Sequence, residues 1–220
     1  MNLVTNAIYS ALPFFITSIP LILINLFIIK EKRNLLNISF NLKEKISTIC
    51  FMLSILFILG ITIGNNTSFS FSNISLNNIN IIPFKGIYTQ YIFSLKGDIH
   101  SIVNLFGNII IFLPFGFFLS LYYKDIYKNS HKILLIAFSV SLFIELLQLF
   151  LGRSTDITDI ILNTFGVFLG KLLFQYFYII FENFFLNINL RDGNTNNSKI
   201  NYLNLIQYGF WIAFLILNLK

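Results

Sequence analysis

Three carboxylates, Glu145, Asp156 and Asp159, fall in one short stretch of the chain, with a single cation, Arg153, between the first and the last. A carboxylate can accept a proton or activate a water, and a guanidinium can stabilise an oxyanion, so the set holds the parts of acid–base chemistry. It also holds the parts of a recognition site, because His100, Asn104, Asn108, Gln148 and Asn163 add donors and acceptors on either side. The sequence shows no G-x-S-x-G elbow, no HExxH and no Gly-rich phosphate loop. His100 and His131 have no metal-ligand spacing to each other, and the lone Cys50 excludes an intrachain disulfide and a cysteine-rich metal site. No metal and no cofactor is expected.

These polar residues lie in surroundings that make them costly. Of the 220 residues 56% are hydrophobic, 27 are Phe and only 11% are charged, against roughly 25% charged in an ordinary soluble domain. A water-soluble fold of this size could not hide that much apolar side chain. A bilayer can face it. A membrane helix needs about 20 apolar residues, and six segments approach this: Ala7–Ile29, Ile46–Ile63, Ile102–Tyr123, Ile133–Leu151, Asp159–Tyr178 and Tyr202–Leu219. The fold class expected is therefore an all-α, polytopic membrane bundle of about five or six spans. The first span is read as a retained helix, since its leader MNLVTN has no Lys or Arg and no small-x-small site follows. Pro13 and Pro20 are expected to kink it.

Basic residues resist translocation, so their distribution orients the spans. Lys30, Lys32, Arg33, Lys43 and Lys45 lie between the first two spans, Lys124, Lys128 and Lys132 between the third and fourth, and Arg191 and Lys199 before the sixth. If the spans alternate, all three groups fall on the cytoplasmic side and the N-terminus lies outside. The formal charge of +6 is then a topology signal and not a nucleic-acid footprint, because the bases sit in short clusters between apolar runs. The long stretch from Gly64 to Ser101 lies outside, and NIIPFKGIY within it reads as either an interfacial or a re-entrant turn, with Pro83 breaking any helix and Phe84 and Tyr88 at headgroup depth. RDGNTNNSK, from Arg191 to Lys199, reads as a flexible cytoplasmic loop, and Phe181–Ile188 as either an interfacial segment or an extension of the fifth helix. The chain divides at this stage into residues 1–79, two helices and an outside loop, 80–181, a membrane core, and 182–220, a cytoplasmic loop and last helix.

A charged side chain at the centre of a membrane helix costs about 2.5–3.5 kcal/mol on insertion scales, so each needs a partner or a role. His100, Asn104 and Asn108 follow each other at four-residue steps, which advance only about 40° around a helix. Ser141, Glu145 and Gln148 share a face of the fourth span, and Asp156, Asp159, Asn163, Gly166 and Gly170 one of the fifth. The alternating topology brings all three stripes together near the outer leaflet. Gly166 and Gly170 form a GxxxG that permits close packing on the third or fourth span. Lys171 reads as a residue reaching for the inner headgroups. The charged residues would serve equally as a structural ion network pinning a helical hairpin or as a pocket open to the outside.

Two blocks of this sequence resemble the VanZ-like family. NLFGNIIIFLPFGFFL, starting at Asn104, supplies Asn108, Phe112, Pro114 and Gly116. ELLQLFLGRSTDITDIILNTFGVFLG, starting at Glu145, supplies Glu145, Gln148, Arg153, Asp156, Asp159, Asn163, Thr164, Gly166 and Gly170. NIIPF at Asn80–Phe84 resembles the segment that often precedes this core. The likeness covers about Asn80 to Gly170 and leaves out the first two spans and the last. It implies a multi-pass protein of the bacterial plasma membrane, in a family named for a protein associated with low-level teicoplanin resistance. It supplies no reaction.

Three readings follow. In the first, His100, Asn104, Asn108, Glu145, Gln148, Arg153, Asp156, Asp159 and Asn163 bind the head of an amphiphile, a lipoglycopeptide or a lipid-linked wall precursor, whose tail lies in the bilayer. In the second, an intramembrane hydrolase or transferase uses Glu145 to move a proton and Arg153 to stabilise an oxyanion. In the third, a small proton-coupled transporter uses Glu145, against which the lack of an inverted repeat argues. The bilayer is the partner common to all three.

Overall fold

In the computed structural model, residues 3–63, 79–80, 82–122, 129–186, 188 and 198–218 are described. In chain order they form α1 (Leu3–Leu35), α2 (Leu42–Ile63), β1 (Ile79–Asn80), α3 (Lys85–Leu95), α4 (Ile99–Tyr122), α5 (Ser130–Phe150), β2 (Thr155–Asp156), α6 (Ile157–Ile180), α7 (Glu182–Leu186) and α8 (Ser198–Asn218). Six of these helices, α1, α2, α4, α5, α6 and α8, are long and apolar enough to cross a membrane. Large apolar side chains such as Leu23, Phe27, Ile110, Leu135, Ile179 and Leu217 stand exposed along them, as lipid-facing surfaces require. The protein is an all-α, polytopic membrane protein.

The helices group into two compact units, residues 67–182 and residues 1–66 with 183–220. The first holds α3 to α6 and the candidate site. Its core is the α4–α6 pair, where the backbones touch because three glycines leave room. A Cβ on Gly116 would run into the backbone of Val167, one on Gly166 into that of Ile109, and one on Gly170 into Leu113 and Phe117. The third span is thus the partner of the GxxxG. Phe112, Ile133, Ala137, Val167 and Phe174 fill the interior, and Phe117 meets Phe174 edge to face with centroids 5.6 Å apart. The ends are capped by side chains. Asn129 accepts the His131 N–H at 3.1 Å to start α5, and Asp156 accepts the Thr158 N–H at 2.8 Å to start α6. Lys171 is buried, and its ammonium donates to the Ser130 hydroxyl at the start of α5, so it is fixed to a neighbouring helix end.

In the other unit α1 is assigned as one helix through Pro13 and Pro20, and it runs beyond the expected Ile29 to Leu35. Lys32 and Arg33 in its last turn complement the negative end of the helix dipole. Arg33 then pairs with Glu44 at 2.9 Å, and Glu44 forms a capping box with Asn41, N–H to side chain in both directions at 2.9 and 3.0 Å. Buried Asn25 accepts from Gln207 at 2.8 Å and Trp211 at 3.2 Å, tying α8 to α1.

Phe181 ends α6 by donating its N–H to Phe177, and α7 begins afresh at Glu182, so the segment after Ile180 does not extend the fifth span. The expected outside loop at 64–78, the basic loop at 123–128 and most of the RDGNTNNSK segment lie outside the described residues.

Candidate functional site

The α5–α6 connection builds the centre of the site. α5 ends at Phe150, where Arg153 turns its N–H back to the Gln148 carbonyl at 3.0 Å and Gly152 takes a φ of 74°, a conformation that glycine adopts without a Cβ penalty. The chain then runs extended through Thr155 and Asp156. Thr155 donates its hydroxyl to the Glu145 carbonyl at 3.0 Å. The Asp156 N–H reaches the Glu145 carboxylate at 3.2 Å. Glu145 is only 2% exposed, so this backbone donor carries much of the burden of keeping its carboxylate satisfied.

A second segment closes the site from far away in sequence. Ile79 and Asn80 pair in parallel with Thr155 and Asp156, which places the Asn80 amide against the Asp156 carboxylate at 2.9 Å. On the third side, Asn108 of α4 donates to Asp159 of α6 at 2.7 Å. Deeper along the same face, Asn163 donates to Ser141 of α5 at 2.9 Å. Arg153 acts electrostatically on both Glu145 and Asp159, opposing the repulsion between the carboxylates. The three carboxylates are thus close enough to interact, and neutral amides hold two of them.

Of the residues singled out in the sequence, Asn108, Glu145, Arg153, Asp156 and Asp159 come together here. Gln148 and Asn163 are buried one turn away on α5 and α6. His100 and Asn104 stand exposed near the start of α4. Asn80, Thr155 and Thr158 were not among the candidates. Only Asn80 carried a signal, as part of NIIPF. A cavity of about 330 Å³ opens beside Asn80, lined also by Gly86, Thr89 and Gln90 of α3. Among the described residues no three His, Cys, Asp or Glu side chains are grouped to hold a metal ion.

The family model for VanZ/LLP1 matches residues 45–182, more than half of the chain. The chain belongs to the VanZ/LLP1 family. The match reaches back over α2, further than the motif blocks. A curated VanZ/LLP1 relative, Protein VanZ of Enterococcus faecium, is 37% identical over 84 residues, which cover 37% of this chain and 48% of that protein. The chain thus spans about half the length of this relative. No solved structure matches.

Proposed function

We propose that this protein acts in the bacterial plasma membrane and contributes to resistance against teicoplanin-type glycopeptides or other lipid-bearing antibiotics. Its polar cluster binds the head of an amphiphile at the outer leaflet while the bilayer holds the tail. The observation that carries this reading is the way the carboxylates are held. Asn108 and the Asp156 N–H take one lone pair each on Asp159 and Glu145, Asn80 and the Thr158 N–H take two on Asp156, and a carboxylate has room for about four. The remaining acceptor positions are available to a ligand with hydroxyl or amine donors. The kinship with Protein VanZ supports the same direction.

The test is binding of a teicoplanin-type glycopeptide to the purified full chain in lipid nanodiscs, beside the same glycopeptide without its acyl chain. The acylated form should bind at least about tenfold tighter, since burying two methylenes is worth that much. Equal binding of the two, or none, would contradict the reading. Turnover of the amphiphile in the same assay would replace binding with hydrolysis or group transfer.

A further inference from the structure

The turn between α1 and α2 is built around one buried cation. Besides its pair with Glu44, Arg33 donates to the Ser39 carbonyl at 2.9 Å and lies 5.1 Å from the centroid of the Phe40 ring. The Ile38 N–H returns to the Arg33 carbonyl at 2.9 Å, with Asn37 before it in the left-handed region at a φ of 56°. These contacts hold Phe40 in place. Beside it lies a cavity of about 160 Å³, lined by Leu26, Phe27, Lys30, Phe40 and Lys45.

That volume is well below the roughly 300 Å³ at which sites for whole small molecules begin, so the cavity fits one part of a larger ligand. Its wall is mostly apolar, and a lysine can lay its methylene stem along such a wall while its ammonium stays at the polar edge. Five bases and two acids, Glu31 and Glu44, fall between Lys30 and Lys45 inclusive. Three of the bases are engaged elsewhere: Arg33 by Glu44, Lys32 as a donor to Gln207, and Lys43 over the Phe184 ring at 4.5 Å. The other two, Lys30 and Lys45, are the exposed lysines at the cavity. Glu44 is paired with Arg33 and Glu31 is not part of the lining, so the charge at the cavity is positive.

One face of α1 carries the site on into the bilayer. Ile19, Leu23 and Phe27 are exposed and follow each other at four-residue steps, which makes them one stripe. Phe27 ends that stripe in the cavity wall, one turn before Lys30. An ammonium pair at the end of an apolar stripe matches a phosphate that carries an acyl chain, and basic pockets between membrane helices are suited to anionic head groups. A neutral head group leaves the two charges unanswered, and free phosphate leaves the stripe unused.

We propose that this cavity seats the head of an anionic phospholipid, with Lys30 and Lys45 at its phosphate and an acyl chain along Ile19, Leu23 and Phe27. The site belongs to the compact unit of residues 1–66 and 183–220 and does not depend on the glycopeptide reading.

The experiment uses the full chain in uncharged detergent micelles, with native mass spectrometry as the readout. The probes are phosphatidylglycerol and phosphatidylcholine of identical acyl chains, and glycerol 3-phosphate. Each lysine is expected to contribute about fivefold, so phosphatidylglycerol should bind at least about tenfold tighter than phosphatidylcholine. The double variant Lys30→Gln/Lys45→Gln should bring that preference below about twofold with the melting temperature unchanged. Lys124→Gln/Lys128→Gln removes the same charge from another loop and should leave the preference intact. Equal binding of the two lipids by the wild-type chain would overturn the proposal. So would an equal loss in both double variants, which would mean diffuse attraction to net charge, or glycerol 3-phosphate binding as tightly as phosphatidylglycerol, which would mean a site for free phosphate. Should the first double variant fail to accumulate, Lys30→Gln and Lys45→Gln singly should each weaken phosphatidylglycerol about fivefold, and a single variant without loss overturns the assignment.

Discussion

Asn80 owes its role to a pairing across 76 positions, since it bonds Asp156. Replacing it with Ala strips a donor from a half-buried carboxylate and should cost about 1 kcal/mol of stability, read by reversible unfolding in mixed micelles. Asp98 directly precedes α4, and its carboxylate accepts the Ser101 hydroxyl at 2.6 Å and the Ser101 N–H at 3.1 Å. The Ser101 side-chain bond, with help from backbone N–H groups and His100, holds this carboxyl below the usual aspartate range. A group lowered on folding contributes stability that is fully present above its unfolded value, about 3.9, and is lost as pH falls through the folded one. The difference in melting temperature between wild type and Asp98→Asn should therefore shrink as pH drops below about 4. At this scale the sequence was legible where cost spoke. Glu145, Asp159 and Asn108 stand out because a polar group inside a span needs a partner, and the structure provides one for each. His100 and Asn104 share the four-residue step of Asn108, but a step identifies a face and not how far along it the neighbouring helix reaches. Asn80 was invisible as a partner because no local pattern encodes a two-residue strand pair.

Helix packing in the unit of α3 to α6 depends on where a backbone can approach another backbone. At Gly170 the would-be Cβ meets the main chain of Leu113 and Phe117, which cannot rotate away. Gly170→Leu must push α4 and α6 apart, at about 1–3 kcal/mol or more, and should sharply lower the amount of folded protein in the membrane. Gly97 provides the contrast. It has a φ of 82°, and a Cβ added there would meet nothing within 4 Å, so Gly97→Ala costs only backbone strain, about 1–2 kcal/mol. Abundance and melting curves of the two variants should separate accordingly. The GxxxG spacing made the close approach legible but not its partner, since both the third and fourth spans offered small residues. Gly116 on α4, which opposes Val167, decides the choice.

Orientation belongs to the whole molecule, and the bias of Lys and Arg between the spans predicts that the loops carrying them face the cytoplasm. Single-cysteine probes in a Cys50→Ser background, placed between Lys30 and Lys45 and between Lys124 and Lys132, should react only after permeabilisation. Labelling in intact cells would reverse the membrane orientation and move the carboxylate cluster to the cytoplasmic face. The membrane class and span number were legible because hydropathy and length act on each helix alone. The division into two compact units was not, since α8 joins α1 through Asn25, Gln207 and Trp211, a contact between opposite ends of the chain. Function turns on whether the cluster around Glu145 binds a ligand or serves only as a structural ion network. Glu145→Gln keeps the shape of the side chain and replaces its carboxyl group with an amide, so the deciding measurement is acylated glycopeptide affinity beside the melting temperature of that variant. If the cluster binds, the melting temperature stays near wild type and the affinity weakens at least about tenfold. A stable variant that binds as tightly as wild type would contradict it.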